Sequence, residues 1–176
     1  IYLRTKIKQP YEDSQKSSKV ELIGRAQDPR ADAAFICNET YKHIKTAIPL
    51  AKRGMHIFLE KPLSHNLNSV ARLKDIVKKR KIKFFLGYNL RFLPAMRYLK
   101  EKLSSKAIGD LYFARIEAGQ YLPDWRKNID YARSYSASRR KGGGVALDLS
   151  HEIDYMRALF GDPLCWEVMK SKVSRL

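Results

Sequence analysis

Residues 56–62, His56-Ile57-Phe58-Leu59-Glu60-Lys61-Pro62, combine a short apolar run with an abrupt polar end. The apolar part predicts a buried strand. Pro62 cannot donate a hydrogen bond to a sheet and restricts the residue before it, so the strand must end there in a defined turn. Open α/β sheets bind ligands at the carboxyl ends of their strands, which makes Glu60, Lys61 and Pro62 candidate site residues. A surface charge pair that ends a strand is the structural alternative.

Strands and helices alternate around this segment. Residues 32–37 predict a second buried strand, and the helical spacing of apolar residues over 44–51 predicts a helix that ends near Gly54. Another helix is predicted over 69–79 and a further strand over 82–88. The order strand, helix, strand, helix, strand is typical of a parallel, doubly wound sheet. The predicted fold class is therefore α/β, beginning with a partial Rossmann-like parallel sheet.

The pattern changes after that last strand. Pro94 predicts the start of a helix, residues 111–118 alternate like a half-exposed antiparallel strand, and residues 165–173 predict one more strand. We therefore expect two domains. Residues 1–90 would form a partial dinucleotide-binding domain. Residues 91–176 would form part of a substrate-binding α/β domain with an open, largely antiparallel sheet.

Residues 145–160 predict one amphipathic helix that follows three glycines, 142–144. Asp148, His151 and Tyr155 fall on one side of it, one turn apart. A carboxylate one turn from an imidazole can fix its tautomer and raise its basicity, as general acid–base catalysis requires. An ordinary i, i+3 helix pair is the alternative, but the glycines favour function because they let the backbone approach a neighbour closely. The apolar face predicted to pack on the core comprises Val145, Leu149, Ile153, Met156 and Phe160.

Other candidate cofactor residues follow the predicted strands or lie in the polar loop near residue 125. Amide and guanidinium groups there suit an anionic or polyhydroxyl ligand, and a tryptophan beside an arginine offers a flat ring and a fork of donors. Helix capping by Asn38 or Thr40, and a core anchor for Trp125, are the structural alternatives. These candidates are Asn38, Glu39, Thr40, His43, Asn89, Arg91, Trp125 and Arg126.

The chain carries 35 Lys and Arg against 18 Asp and Glu, a net charge of +17. Such a charge can serve a polyanion such as nucleic acid. The basic residues are dispersed, however, and the tightest runs, 78–81 and 139–141, are not interleaved with aromatic residues that stack on bases. The charge therefore predicts a solvated basic surface without a nucleic-acid partner.

Cys37 and Cys165 lie in apolar surroundings without metal-ligand spacing, so we expect buried, reduced thiols and no metal site. No apolar stretch is long enough to cross a bilayer. Residues 1–8 are too charged for a signal peptide. These features predict a cytoplasmic protein that does not associate with membranes.

Taken in order, these segments resemble the glucose–fructose oxidoreductase / inositol dehydrogenase (Gfo/Idh/MocA) family of NAD(P)-dependent oxidoreductases. The resemblance implies hydride transfer between a nicotinamide and a carbinol carbon of a sugar, polyol or sugar-nucleotide derivative, in an enzyme that forms a homo-oligomer when complete. It places Glu60 and Lys61 beside the nicotinamide ribose and the reacting carbon. It makes His151 the acid–base residue, assisted by Lys61. The matching segments are the strand to Cys37 with His43 beyond, 60–62, 87–92, 108–111, 123–126 and 142–161.

Two departures qualify the resemblance. Many relatives place an aspartate four residues before the histidine, where this chain has Leu147, so the role of Asp148 as a substrate ligand is in question. The glycine-rich fingerprint that binds pyrophosphate is missing, so we expect a chain truncated at both ends. An inactive remnant or pseudoenzyme with only a binding role is the alternative function. If residues 1–4 form the second Rossmann strand, Arg4 takes the place of the acidic residue that selects NAD, which favours NADP.

Overall fold

A computed structural model describes residues 2–4, 21–23, 31–119, 121 and 130–171. The chain divides into two compact units, Ile1–Gly87 and Tyr88–Leu176. The division falls close to the boundary expected after residue 90. That the two units correspond to a cofactor domain and a substrate domain stays a prediction.

The described part of the first unit is built on one sheet in which β3, β4 and β5 are parallel, in the spatial order β2-β1-β3-β4-β5. Helix α1 connects β3 to β4, and α2 connects β4 to β5. This arrangement confirms the predicted α/β class and the parallel strands. The elements are β1 (Tyr2–Arg4), β2 (Glu21–Ile23), β3 (Ala33–Ile36), α1 (His43–Lys52), β4 (His56–Leu59), α2 (Val70–Arg80) and β5 (Phe84–Leu86).

The core of the first unit lies between the sheet and the two helices. Alternate residues of β3 and β4 point to this face and are at most 3% exposed. They pack in one cluster with apolar residues of α1 and with Leu73 of α2. Gly54, at φ +84°, follows the end of α1, as the sequence predicts. The buried strand residues are Ala34, Ile36, Ile57 and Leu59.

The opposite face of the same strands carries a row of phenylalanines. Phe35, Phe58 and Phe85 occupy matching positions in the parallel register, and their rings stack with centroids 5.2 and 5.3 Å apart. The strands are therefore apolar on both faces, as is usual in parallel sheets. The register brings the carboxyl ends of β3, β4 and β5 to one edge of the sheet.

Strand β1 runs antiparallel to both of its neighbours, pairing Tyr2 with Ile23 and with Ala34. The expectation that residues 1–4 form a second parallel strand is therefore wrong in this structure. A three-residue segment carries no information on its direction, which the pairing with β2 and β3 determines. The antiparallel direction places the backbone of Arg4 beside the amino-terminal end of β3, away from the edge where β3 to β5 end.

The regular elements in the described part of the second unit are helices and 3₁₀ turns. Helix α3 begins at the predicted Pro94, and residues 131–141 form a series of 3₁₀ turns. Another 3₁₀ turn, Asn89–Phe92, precedes α3. The helices are α3 (Pro94–Ser104), α4 (Val145–Asp148) and α5 (Ser150–Phe160).

The single helix predicted over residues 145–160 is interrupted at Leu149, whose φ of −100° and ψ of 33° are not helical. The predicted apolar core face is wrong as a consequence. Val145 is 66% exposed and Ile153 is 42% exposed, whereas Ser150 and Asp154 are buried. A helical wheel assumes one straight axis, and the break changes which side chains of the two pieces face inward.

Neither strand predicted for the second unit forms in the residues that the structure describes. Residues 111–118 and 165–171 have no strand assignment. Tyr112 and Met169 in these segments are each 94% exposed. An alternating pattern needs a hydrogen-bonded neighbour to become a strand, and these segments have none in the described part of this unit.

Both cysteines are exposed and free, so the prediction that they are buried is wrong. Cys37 stands one residue beyond β3, just outside the apolar run that suggested burial. Among the described residues, no helix has the length and apolarity needed to cross a bilayer. In the same part of the chain no cluster of three or more His, Cys, Asp or Glu is arranged to hold a metal ion.

Candidate functional site

The carboxyl ends of β3, β4 and β5 form one continuous edge in the first unit. The ladder extends one residue beyond the strands, because the Glu60 amide donates to the Ile36 carbonyl oxygen at 2.9 Å. The Gly87 amide likewise donates to the Leu59 carbonyl oxygen at 2.8 Å. The turn at residues 60–62 is therefore held between the segments that follow β3 and β5.

Lys61 and Pro62 complete this turn. Pro62 is buried, Lys61 is half-buried, and the peptide bond between them is cis. The structure thus places a carboxylate and an ammonium group at the carboxyl-terminal edge of the sheet, where open α/β sheets bind their ligands. Their roles toward a cofactor stay predictions.

Gly87 lets the Glu60 side chain lie against the end of β5. A Cβ atom on Gly87 would stand 3.1 Å from Glu60 Oε2 and 3.3 Å from the Leu59 carbonyl oxygen. Both distances are tighter than ordinary packing, so the neighbours would have to move. The sequence analysis did not single out this glycine, although a glycine directly after an apolar strand is a signal of close backbone approach.

The loop after β3 supplies three of the predicted residues in different environments. The Asn38 amide donates to Thr46 Oγ1 at 2.9 Å, and Glu39 forms an ion pair with Lys42 at 2.7 Å. Thr40 is only 4% exposed. Neither Asn38 nor Thr40 caps the following helical turns with its side chain, so the capping alternative is wrong. Asn38 is exposed at the edge and the Thr40 side chain is not.

His43 lies behind the edge and is only 1% exposed. Its Nδ1 is 2.8 Å from the Pro62 carbonyl oxygen, and its Nε2 is 2.9 Å from the Asn38 carbonyl oxygen. The imidazole therefore faces the backbone of two strand exits, since it is the first residue of α1 and points back toward the sheet. This position distinguishes it from Asn38, which is exposed, and from Lys61, which is half-buried.

Gly143, the middle one of the three glycines before α4, packs against the protein's own backbone. A Cβ atom on Gly143 would overlap the Ser136 carbonyl group and lie 2.5 Å from the Tyr135 carbonyl oxygen. The Gly144 amide donates to the Ser136 carbonyl oxygen at 3.0 Å. The predicted close approach is confirmed, and the approaching group is a turn of this chain. The Ser136 hydroxyl in turn donates to Asp148 Oδ1 at 3.4 Å.

His151 and Asp148 belong to different helices because of the break at Leu149. The His151 ring meets the Tyr88 ring edge-on, with centroids 5.7 Å apart and planes at 82°. Such edge-to-face pairs fix ring orientation and are worth about 0.5–1.5 kcal/mol. The sequence analysis missed Tyr88 as the residue that orients His151, since nothing local connects residues so far apart in the chain.

Arg91 binds Asp154 through two parallel contacts, which the sequence analysis also missed. Its Nε donates to Oδ2 at 2.6 Å, and its Nη2 pairs with Oδ1. The hydrogen bond to Asp154 raises the pKa of Arg91 above its ordinary value. This pair joins the 3₁₀ turn at residues 89–92 to α5 and satisfies the buried carboxylate. Two of the Arg91 donors proposed to bind a ligand, Nε and Nη2, therefore bind the protein's own carboxylate.

The remaining candidates are Asn89, Trp125 and Arg126. Asn89 is exposed at the start of its 3₁₀ turn. Trp125 and Arg126 lie outside the described residues. Lys61 belongs to the first unit and His151 to the second, so their action on a common ligand stays a prediction.

Comparison with known families matches both parts of the chain. Residues 9–88 match the model described as "Oxidoreductase family, NAD-binding Rossmann fold". Residues 96–174 match the model described as "GFO/IDH/MocA C-terminal domain".

Characterised relatives and solved structures give the same result. A myo-inositol 2-dehydrogenase of Thermotoga maritima is 35% identical over 143 residues, which cover 81% of this chain and 39% of the relative. A levoglucosan dehydrogenase of Pseudarthrobacter phenanthrenivorans is 31% identical over 137 residues, which cover 77% of this chain and 34% of the relative. A levoglucosan dehydrogenase structure in complex with NADH and levoglucosan is 30% identical, with a TM-score of 0.62 over 78% of this chain and 37% of that one.

The chain thus spans less than half the length of these relatives. Two models of one family, in the expected order, account for nearly all of its residues. The chain belongs to the Gfo/Idh/MocA family of oxidoreductases.

Proposed function

We propose that this chain is part of an NAD(H)-dependent oxidoreductase that acts on a carbinol carbon of a sugar or polyol. The observation that carries the proposal is the edge at which β3, β4 and β5 end, with Glu60, Lys61 and Pro62 at its centre. Relatives named for inositol and levoglucosan, one of them in complex with NADH, support the cofactor and the substrate class.

The residues at this edge fit a nicotinamide nucleotide. The Glu60 carboxylate can accept hydrogen bonds from ribose hydroxyl groups, and the Asn38 side chain at the neighbouring exit is exposed. The bound cofactor would supply or accept the hydride. The NADP preference rested on Arg4 following a parallel strand. The antiparallel direction of β1 removes that reason, so the proposal is NAD(H).

The chain's own residues would handle the proton. We assign to Lys61 the polarisation of the substrate hydroxyl, for which an ammonium group at the edge is suited. We assign to His151 the acceptance and return of the hydroxyl proton, because its ring is oriented by Tyr88 and its helix is anchored by the Arg91–Asp154 pair. Asp148, bonded by the Ser136 hydroxyl, would contact the substrate from the adjacent turn. The cytoplasmic location, the homo-oligomer and the lack of a nucleic-acid partner stay predictions.

A fluorescence titration of the chain with NADH tests the proposal. We expect saturable binding that is weakened in Lys61→Ala and unchanged in Lys79→Ala, which removes the same charge from the exposed face of α2. NADPH should bind more weakly than NADH. Linear, non-saturable fluorescence with NADH would favour the alternative that this chain has a binding role without redox chemistry.

A further inference from the structure

His43 is an unusual choice for the interior of the first unit. Among the residues that the structure describes, it and Leu59 are the largest side chains buried almost completely, and the core cluster around them is apolar. A buried imidazole needs hydrogen-bond partners for its ring nitrogens, because leaving one unsatisfied opposes folding. An apolar ring of similar size would pack without that requirement. The identity of the residue therefore calls for an explanation beyond packing.

The partners of the ring supply that explanation. They are two backbone carbonyl oxygens in separate segments, one at Asn38 after β3 and one at Pro62 after β4. A carbonyl oxygen only accepts, so each contact is a hydrogen bond when the ring nitrogen carries a hydrogen. With one ring hydrogen His43 holds one exit directly, and with two it holds both.

We propose that His43 is a positioning residue that sets the spacing between the exits of β3 and β4 without touching the ligand. The inference rests on the proposed function, since the held turn carries Glu60 and Lys61. Each exit also has a second connection. The Asn38 side chain donates to Thr46 Oγ1, and the Glu60 amide donates to the Ile36 carbonyl oxygen. We therefore expect loss of the imidazole to shift both exits without unfolding the unit.

The test compares two variants of His43 with a matched core variant. His43→Phe substitutes a somewhat larger apolar ring without any hydrogen-bond donor, and His43→Gln offers an amide that can donate to one carbonyl. Leu73→Ala, from a residue 3% exposed in the same core, destabilises the unit without touching either exit. Because His43→Gln retains one connection, it keeps the test decisive should His43→Phe fail to fold.

The first measurement uses amide NMR and hydrogen exchange of the unliganded chain. We expect His43→Phe to shift the amide resonances of Asn38, Glu60 and Lys61 and to speed exchange of the Glu60 amide, with smaller changes in His43→Gln. Leu73→Ala should leave these resonances nearly unchanged. Equal shifts in Leu73→Ala, or unshifted exits in His43→Phe, would overturn the proposal.

The second measurement is the NADH dissociation constant of the same proteins. We expect His43→Phe to bind about tenfold more weakly than Leu73→Ala, the change expected from losing roughly one buried hydrogen bond at the site. Equal affinities in the two variants would overturn the positioning role. If the unsubstituted chain does not bind NADH, the proposed function fails, and the NMR comparison alone decides whether His43 holds the two exits.

Discussion

The two units of this chain bury different kinds of residue. In the described part of the first unit, each parallel strand lies next to a strand only one helix away in the sequence, and its core residues are 0–8% exposed. In the described part of the second unit the well-buried side chains include Ser150 and Asp154, while Tyr112 is 94% exposed. Apolar packing therefore stabilises the described part of the first unit, whereas individual polar and aromatic contacts stabilise that of the second.

This contrast extends to the candidate site residues. Glu60 and Lys61 are placed by a buried sheet and by the almost fully buried imidazole of His43, so substitutions that move them also disturb the core. His151 is placed by side chains, through its contact with Tyr88 and through the Arg91–Asp154 pair on its helix. We therefore expect substitutions in the second unit to alter the positions of site residues with a smaller loss in the free energy of unfolding than substitutions in the first unit.

The largest expected effect is that of Leu59→Ala. Leu59 is 0% exposed at the centre of the first core, so we expect a loss of about 2–5 kcal/mol in the free energy of unfolding. Leu164→Ala makes the same truncation at a fully exposed residue of the second unit, 105% exposed, and should be nearly neutral. Urea unfolding followed by circular dichroism gives both values. Similar losses for the two variants would remove the distinction between the units.

The next effect is that of Gly143→Ala in the second unit. The added methyl group would overlap the Ser136 carbonyl, so the backbone must shift, at a cost of about 1–3 kcal/mol. Gly119→Ala is the control, because a Cβ atom there meets nothing within 4 Å. Both tryptophans, Trp125 and Trp166, belong to the second unit, so tryptophan fluorescence during urea unfolding reports on it selectively. An unchanged free energy of unfolding in Gly143→Ala would show that the close contact between Gly143 and Ser136 is not required for stability.

Asp154→Asn should cost less stability and yet disturb the site. Removing the carboxylate leaves the Arg91 guanidinium without its charged partner. Because Arg91 is 45% exposed, we expect a loss of about 1 kcal/mol. The His151 ring resonances, which report the Tyr88 contact, should shift in the NMR spectrum. The control is Asp130→Asn, at an exposed aspartate, which should leave the His151 resonances unchanged. If Asp154→Asn also leaves them unchanged, Asp154 does not position His151.

The smallest expected effect concerns Asp162. The hydrogen bond from Arg157 lowers the pKa of this carboxyl group in the folded chain. Because the folded pKa lies below the unfolded one, the bond stabilises the fold above the unfolded pKa, and this contribution is lost as the pH falls through the folded pKa. Carboxyl NMR titration of Arg157→Gln should show a higher pKa for Asp162. Arg133→Gln, at another exposed ion pair, should leave it unchanged.

Most of the first unit, over the residues that the structure describes, could be predicted from the sequence because its signals are local. The apolar strands, the helical spacing over 44–51 and the glycine at position 54 each act within one element. The direction of β1 could not be predicted, since it depends on pairing with strands distant in the sequence. The break at Leu149 could not be predicted either, because the apolar spacing over 145–160 fits one continuous helix. The same holds for the site. Glu60 and Lys61 follow from their motif, whereas the partners of His43 and Arg91 appear only when separate segments meet.

Amide NMR mapping of NADH on the unsubstituted chain tests most directly whether the strand exits bind the cofactor. We expect the resonances shifted by NADH in the first unit to lie at the exits of β3, β4 and β5, namely Asn38, Glu60, Lys61 and Gly87. Residues at the opposite end of the same strands, such as His56 and Lys83, should be unaffected. Saturable shifts centred on His56 and Lys83, with the three exits unchanged, would contradict this expectation.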